Sequence, residues 1–279
     1  MSRIFEALKK TGAVNLVDES AASQNAAEFI DQTADTSALV TCATFAVAST
    51  PQARLVAISD EHGLASEKIR VLGTKLRHMA ARRQLKTVLV TSSMKGEGKS
   101  VIAANLAITL AKSARVRVLL IDGDFRQPTL ASKLGCTPQK ALADWWRESL
   151  PVQQLLQKEK DLPLWFLPAG RFENQPLEVL QSPKLAELMK QLTEMFDWIV
   201  IDSPPMVPLA DSRVWANFAD GVMVVVRERY TQLDLLNRTV ETLEPKKFLG
   251  IVMNDTNVSE SKYYPAYYQY VLNKEETQA

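Results

Sequence analysis

One stretch limits the fold more than any other: 91-TSSMKGEGKS-100, set between the apolar run 87-TVLV-90 and the helix-forming 101-VIAANLAITLA-111. Ser93, four further residues, then Gly98, Lys99 and Ser100 match a phosphate-binding loop with serine in its first glycine position. Gly96 and Gly98 let the backbone curl so that successive N–H groups face phosphate oxygens, and the next helix adds its positive end. Lys99 is placed to neutralise β- and γ-phosphate charge, and the Ser100 hydroxyl to ligate Mg²⁺. The candidate nucleotide loop is therefore Ser93, Met94, Lys95, Gly96, Glu97, Gly98, Lys99 and Ser100.

Such a loop needs a buried strand before it and a helix after it, and the chain repeats that alternation. Short apolar runs recur at 117-RVLLID-122, 164-LWFLPAG-170, 198-WIVID-202, 221-GVMVVVR-227 and 248-FLGIVMN-254, separated mostly by helix-length segments. Unbroken Val, Ile and Leu runs suit strands buried on both faces. The expected fold is α/β, a mostly parallel P-loop NTPase-type sheet covered by helices on both faces. A helix is expected over 64–83, where Leu64, Ile69, Leu72, Leu76 and Met79 recur at helical spacing. The expected organisation is a short helix at 1–10, a flexible linker at 11–60 rich in Ala, Ser, Thr, Asp and Gln, the nucleotide domain at 61–258 and a tail at 259–279.

In parallel sheets ligands bind beyond the carboxyl ends of the strands. There 118-VLLIDGDFRQP-128 presents Asp122 and Asp124, two carboxylates able to face a phosphate–metal centre, one near the cation and one near an attacking hydroxyl. Arg126 either neutralises one of them or touches phosphate. The run 197-DWIVIDSPP-205 adds Asp202 as a ligand of Mg²⁺ or its water, so Ser100, Asp122 and Asp202 are the expected metal-facing set. Five of the six tyrosines crowd into the tail, at Tyr263, Tyr264, Tyr267, Tyr268 and Tyr270, without the apolar pattern of a core segment. They read as accessible phosphate acceptors, each phosphate adding about −1.5 to −2 charge.

Taken together, 92-SSMKGEGKS-100, 118-VLLIDGDFRQP-128, 198-WIVIDSPP-205 and the tyrosine tail resemble the bacterial tyrosine kinases of capsular and exopolysaccharide systems, in their separate cytoplasmic form. The resemblance spans roughly residues 64–270 and includes 168-LPAGRFENQPLEVLQSP-183; the opening SRIFEALKK also resembles a frequent amino-terminal motif of such proteins. It implies ATP and Mg²⁺ as cofactors, with Lys99 and Ser100 holding both, Asp122 deprotonating the tyrosine hydroxyl, and Asp124 and Asp202 organising the metal. It implies that Asn254 contacts adenine, that the enzyme modifies its own tail, and that a transmembrane chain-length-determinant protein is its activating partner. Positioning ATPases of the ParA/MinD type share the sheet and are the alternative. They resemble a loop with lysine immediately after its first position, where this chain has Met94, and Lys95 stands where the kinases usually have proline. Kinases of this kind often form rings through a Glu-x-x-Arg-x-x-Arg pattern; Glu67 and Arg70 keep it, but Gly73 breaks it.

Composition excludes little but is consistent. The formal charge of +1, from 33 basic and 32 acidic residues, gives no field for nucleic acid. Cys42 and Cys136 lack metal or redox spacing, His62 and His78 lie away from the expected site, and no stretch reaches the roughly 18 apolar residues of a membrane span. The expectation is a cytoplasmic protein peripheral to the inner membrane through a partner.

Overall fold

The structure, a computed structural model, describes residues 39, 42–113, 116–172, 176–207 and 209–256. The expected helix at 1–10 and the tyrosine tail lie outside the described residues, so Tyr263, Tyr264, Tyr267, Tyr268 and Tyr270 receive no structural account.

Among the described residues eight strands form one sheet, in the order β1 Ala43–Phe45, β4 Gln157–Glu159, β5 Leu164–Leu167, β3 Val118–Asp122, β6 Trp198–Asp202, β2 Thr87–Ser92, β7 Gly221–Arg227 and β8 Phe248–Asn254. The six expected strands are all present: β2, β3, β5, β6, β7 and β8. Their pairings are parallel. Every residue of β2, β3, β5 and β6 is buried, which is why these runs carry no polar alternation.

Alternate residues of each strand feed two separate cores. On one face Leu89, Leu119, Ile121, Ile199, Ile201 and Val224 meet helices α7 Pro183–Met195, α8 Asp211–Phe218 and α9 Leu233–Glu241, through Leu188, Trp215 and Leu236 among others. On the other, Val88, Val90, Leu120, Val200 and Val225 meet α2 Leu64–Ala80 and α3 Lys99–Ser113. Helix α3 is buried along nearly its whole length, from Ser100 to Ala111. Burying a Leu or Ile side chain contributes about 1.5–3 kcal/mol, so this central helix is a main source of stability for the face that carries the nucleotide loop.

Two strands depart from expectation. Strand β4 Gln157–Glu159 pairs antiparallel with β5, and β1 Ala43–Phe45 pairs parallel with β4 at the sheet edge. Strand β1 falls inside the segment expected to be a flexible linker, and the described part of that segment is packed. Leu55 and Ala57, the latter in the short helix α1 Val56–Ser59, are buried. The buried Asn105 amide secures them, donating to Arg54 O at 2.9 Å while its Oδ1 accepts from Ala57 N at 2.9 Å. Composition alone hid this docking, because its anchor lies some 50 residues away on α3.

Gly73 explains the broken arginine pattern. It is buried, and an added Cβ would lie 3.6 Å from Thr109 Cγ2 and 3.8 Å from Leu110 Cδ2, so this position faces α3. Glu67 and Arg70 pair with one another on the exposed side. A methyl group fits the space, and alanine is favoured over glycine inside a helix by about 1 kcal/mol. Gly73→Ala is therefore expected to raise Tm by about 2–4 °C in thermal unfolding; an unchanged or lower Tm would show that α2 and α3 cannot accept the methyl.

Candidate active site

Three of the motifs converge because β3, β6 and β2 are neighbours in the sheet and parallel. The register sets Asp122 beside Asp202, and Asp202 beside Val90 at the approach to the loop. The carboxyl ends of these strands thus gather Lys99, Ser100, Asp122, Asp124 and Asp202 at one edge.

The loop after β2 has the conformation its glycines allow. Gly96 and Gly98 take φ of +88° and +91°, and a Cβ on Gly98 would lie 2.1 Å from Asn254 Nδ2. Residues with side chains would be strained at both positions. Ser93 is fully buried and Lys95 is exposed, its side chain bordering the cavity in front of the loop. Asn254, at the end of β8, donates through Nδ2 to Glu97 O at 3.0 Å, which leaves its Oδ1 as an acceptor. Glu97 turns its carboxylate inside, away from where phosphate would lie; its exposure is 0%.

The three aspartates have distinct surroundings. Asp122 is buried and accepts from Asp124 N at 3.3 Å and Leu130 N at 3.1 Å. Asp124 accepts from Gln127 N at 3.0 Å and faces Lys99 Nζ at 3.5 Å. Asp202 is wholly buried, and neither of its carboxylate oxygens has a hydrogen-bond partner among the described residues. Burial, with repulsion from Asp202, pushes the Asp122 carboxyl well above the usual range. Burial likewise raises Asp202, against the pull of Lys99 and of the Ser100 hydroxyl, which lies close by without hydrogen-bond geometry. Two neighbouring buried carboxylates without a cation cannot both ionise cheaply.

The unsatisfied carboxylate of Asp202 tests whether Mg²⁺ fits. Hard oxygen donors suit the ion, and it commonly takes one or two protein carboxylates and completes its shell with phosphate and water. The orphaned oxygens of Asp202, the buried Ser100 hydroxyl and the nearby Asp122 carboxylate form such a donor set.

Arg126 borders the cavity in front of the loop, but its hydrogen bonds go to neither Asp122 nor Asp124. Its guanidinium donates to Asp211 on α8, at 2.6 and 3.1 Å, and so pins the loop after β3 to the loop side of α8. Asp211 is 1% exposed and was not singled out in the sequence. Its partner lies 85 residues away, a distance over which no local pattern speaks.

Two cavities flank the loop. One of about 480 Å³ is bordered by Gly98, Lys99, Asp124, Lys133, Pro204 and Pro205. The other, about 590 Å³, runs along α2 and α3 to Asn254, Asp255 and Thr256 and is lined by Ile69, Leu72, Ile102 and Ile251 as well as by Lys68 and Lys75. They share Val101, so the two cavities meet at the start of α3.

Comparison with known proteins agrees with this geometry. Residues 88–271 match the family model described as the CobQ/CobB/MinD/ParA nucleotide binding domain. The tyrosine-protein kinase YwqD of Bacillus subtilis is 31% identical over 218 residues, covering 77% of this chain and 92% of that protein. The succinoglycan biosynthesis transport protein ExoP of Rhizobium meliloti is 32% identical over 197 residues, 67% of this chain but only 24% of that longer protein. Among solved structures, the chimerical protein CapA2B2 superposes with a TM-score of 0.69 at 25% identity, over 79% of this chain and 97% of that one.

Proposed function

The chain belongs to the bacterial tyrosine kinases, within the CobQ/CobB/MinD/ParA nucleotide-binding family, and on that premise we propose how it transfers the γ-phosphate of ATP to tyrosine hydroxyls, those of its own tail foremost. The observation that carries this reading is the convergence of Lys99, Ser100, Asp122 and Asp202 at one sheet edge, with Asp202 unsatisfied. The loop N–H groups and the start of α3 receive the phosphates. Lys99 exchanges its contact with Asp124 for phosphate oxygen. Ser100 and Asp202 would hold Mg²⁺, which would supply positive charge to offset that of the phosphates. The cavity ending at Asn254 takes the base, the Asn254 Oδ1 accepting from the amino group of adenine.

Asp122 is the proposed general base. A phenol has a pKa near 10, and a carboxylate beside the attacking oxygen can accept its proton as the bond to phosphorus forms. As the tyrosine oxygen bonds to phosphorus, the bond to the bridging oxygen breaks, ADP leaves, and the phenolic proton passes to Asp122. Asp124 keeps Lys99 in place until nucleotide arrives.

We further propose that the chain serves capsule or exopolysaccharide export beside a membrane-spanning partner, since ExoP is named for succinoglycan transport. Among the described residues no helix is long and apolar enough to cross a membrane. The family model alone spans positioning ATPases as well as kinases; the match to a tyrosine-protein kinase over 92% of its length favours the kinase.

The test is mass spectrometry of the chain incubated with Mg-ATP, with and without the cytoplasmic segment of a candidate partner. Phosphotyrosine is expected at Tyr263, Tyr264, Tyr267, Tyr268 or Tyr270 and is expected to vanish when all five are Phe. Phosphotyrosine persisting elsewhere would refute the tail as acceptor. ATP turnover without any phosphotyrosine, partner included, would favour the positioning ATPase.

A further inference from the structure

The nucleotide loop is gripped from behind by a segment that none of the preceding chemistry uses. Between β7 and α9 the chain turns sharply through Arg229, at φ +60°, and presents Tyr230 and Thr231 to the loop. The Thr231 hydroxyl accepts from Arg227 N at 2.8 Å and donates to Glu97 Oε1. The other oxygen of Glu97 accepts from Met94 N at 2.7 Å. Tyr230 donates to Lys95 O at 3.3 Å, and the Thr239 and Ser93 hydroxyls are 3.0 Å apart.

Glu97 is the unusual member. It is a carboxylate with 0% exposure, and the two hydrogen bonds it accepts come from neutral donors, one a backbone amide and one a hydroxyl. A buried carboxyl needs its oxygens hydrogen-bonded, and the donors that meet this need here tie the loop to the turn before α9. What Glu97 positions is the turn Met94–Glu97. Its carboxylate closes that turn from inside, and Thr231 fixes the carboxylate. With Gly96 and Gly98 both at positive φ, the loop has many other conformations open to it once this closure is lost.

We propose that Thr231 and Glu97 are a positioning pair that holds the loop in its phosphate-receiving shape before nucleotide binds. The inference rests on the loop being the nucleotide site. Neither side chain touches the phosphates; each acts on affinity by sparing the loop the loss of conformational freedom on binding. The effect belongs in ATP affinity, with little change in the transfer step once the site is filled.

Thr231→Val keeps the shape and removes the hydroxyl. It is expected to raise both the Kd for Mg-ATP, by calorimetry, and the KM for ATP about tenfold, in line with a lost hydrogen bond to a charged group, with kcat within about twofold. Thr231→Ser keeps the hydroxyl and is expected to restore both constants to within about twofold of the parent. Glu97→Gln tests the same link from the other side and serves if the valine variant does not fold. Paired with Thr231→Val, it is expected to bind no more weakly than the worse single variant. A lower Tm with unchanged Kd, a fall in kcat at constant KM, serine behaving like valine, or penalties that multiply would each overturn the pair's role. A parent chain that binds no Mg-ATP would overturn the nucleotide site itself and this inference with it, an outcome distinct from a parent that binds and a valine variant that binds equally well.

Discussion

Lys99→Ala is expected to lower phosphotyrosine formation about a thousandfold, measured as transfer of label from γ-labelled ATP at saturating Mg²⁺. Two losses combine. Preorganised charge facing the phosphates is removed, an effect worth about 10²–10³-fold for a single donor in a water-poor site. The lysine is also the cation that faces Asp124, at 3.5 Å, and its side chain is only 13% exposed. Without it Asp122, Asp124 and Asp202 stand together as an acidic cluster that repels a triphosphate. Affinity and turnover should therefore fall together, unlike the affinity-only loss expected at Thr231. Label retained within tenfold of the parent would mean that Lys99 does not face the transferred phosphate.

Asp202→Asn is expected to do two opposite things: abolish transfer, by more than about a hundredfold, and stabilise the chain when nucleotide and Mg²⁺ are absent. The sign follows from the carboxyl's raised pKa. Between the unfolded value near 4 and the higher folded one, the folded state holds the extra proton, so stability falls as pH rises through that window. Below pH 4 the parent and variant should converge. At pH 8 the parent carries the full penalty of a buried, unpartnered charge, and the variant should exceed it by about 1–3 kcal/mol, read as a Tm several degrees higher. Mg-ATP should restore the parent and leave the variant nearly unmoved. A variant less stable than the parent at pH 8 would show that Asp202 has partners in solution that satisfy its oxygens.

How far such features are legible in the sequence depends on the range of the contacts that make them. The strands β2, β3, β6 and β7 could be placed from their residues because burial on both faces leaves an unbroken apolar run. The loop was legible for a similar reason, since glycines at positive φ, a lysine and a hydroxyl are all local requirements. Strands β1 and β4 were not: three residues each, ATF and QKE, carry no periodicity, and they exist because the sheet has room beside β5. The positioning side chains were equally hidden. Thr231 and Glu97 are 134 residues apart, and Asp211 reads as an ordinary helix-start carboxylate until Arg126 is found against it. Glu97 was counted with the phosphate-facing loop by its place in the motif; only packing reveals which way it points.

The position of β8 has a further consequence. This edge strand ends at Asn254 beside the phosphate loop, and Arg227 pins Asp255 just beyond it at 2.6 Å. Tyr263 is eight residues further along the chain, a contour of at most about 29 Å. Under the proposed self-modification, an acceptor joined to the chain this closely competes at an effective concentration on the order of millimolar. A separate acceptor at micromolar concentration is then expected to be outcompeted about a thousandfold until the joined hydroxyls are phosphorylated.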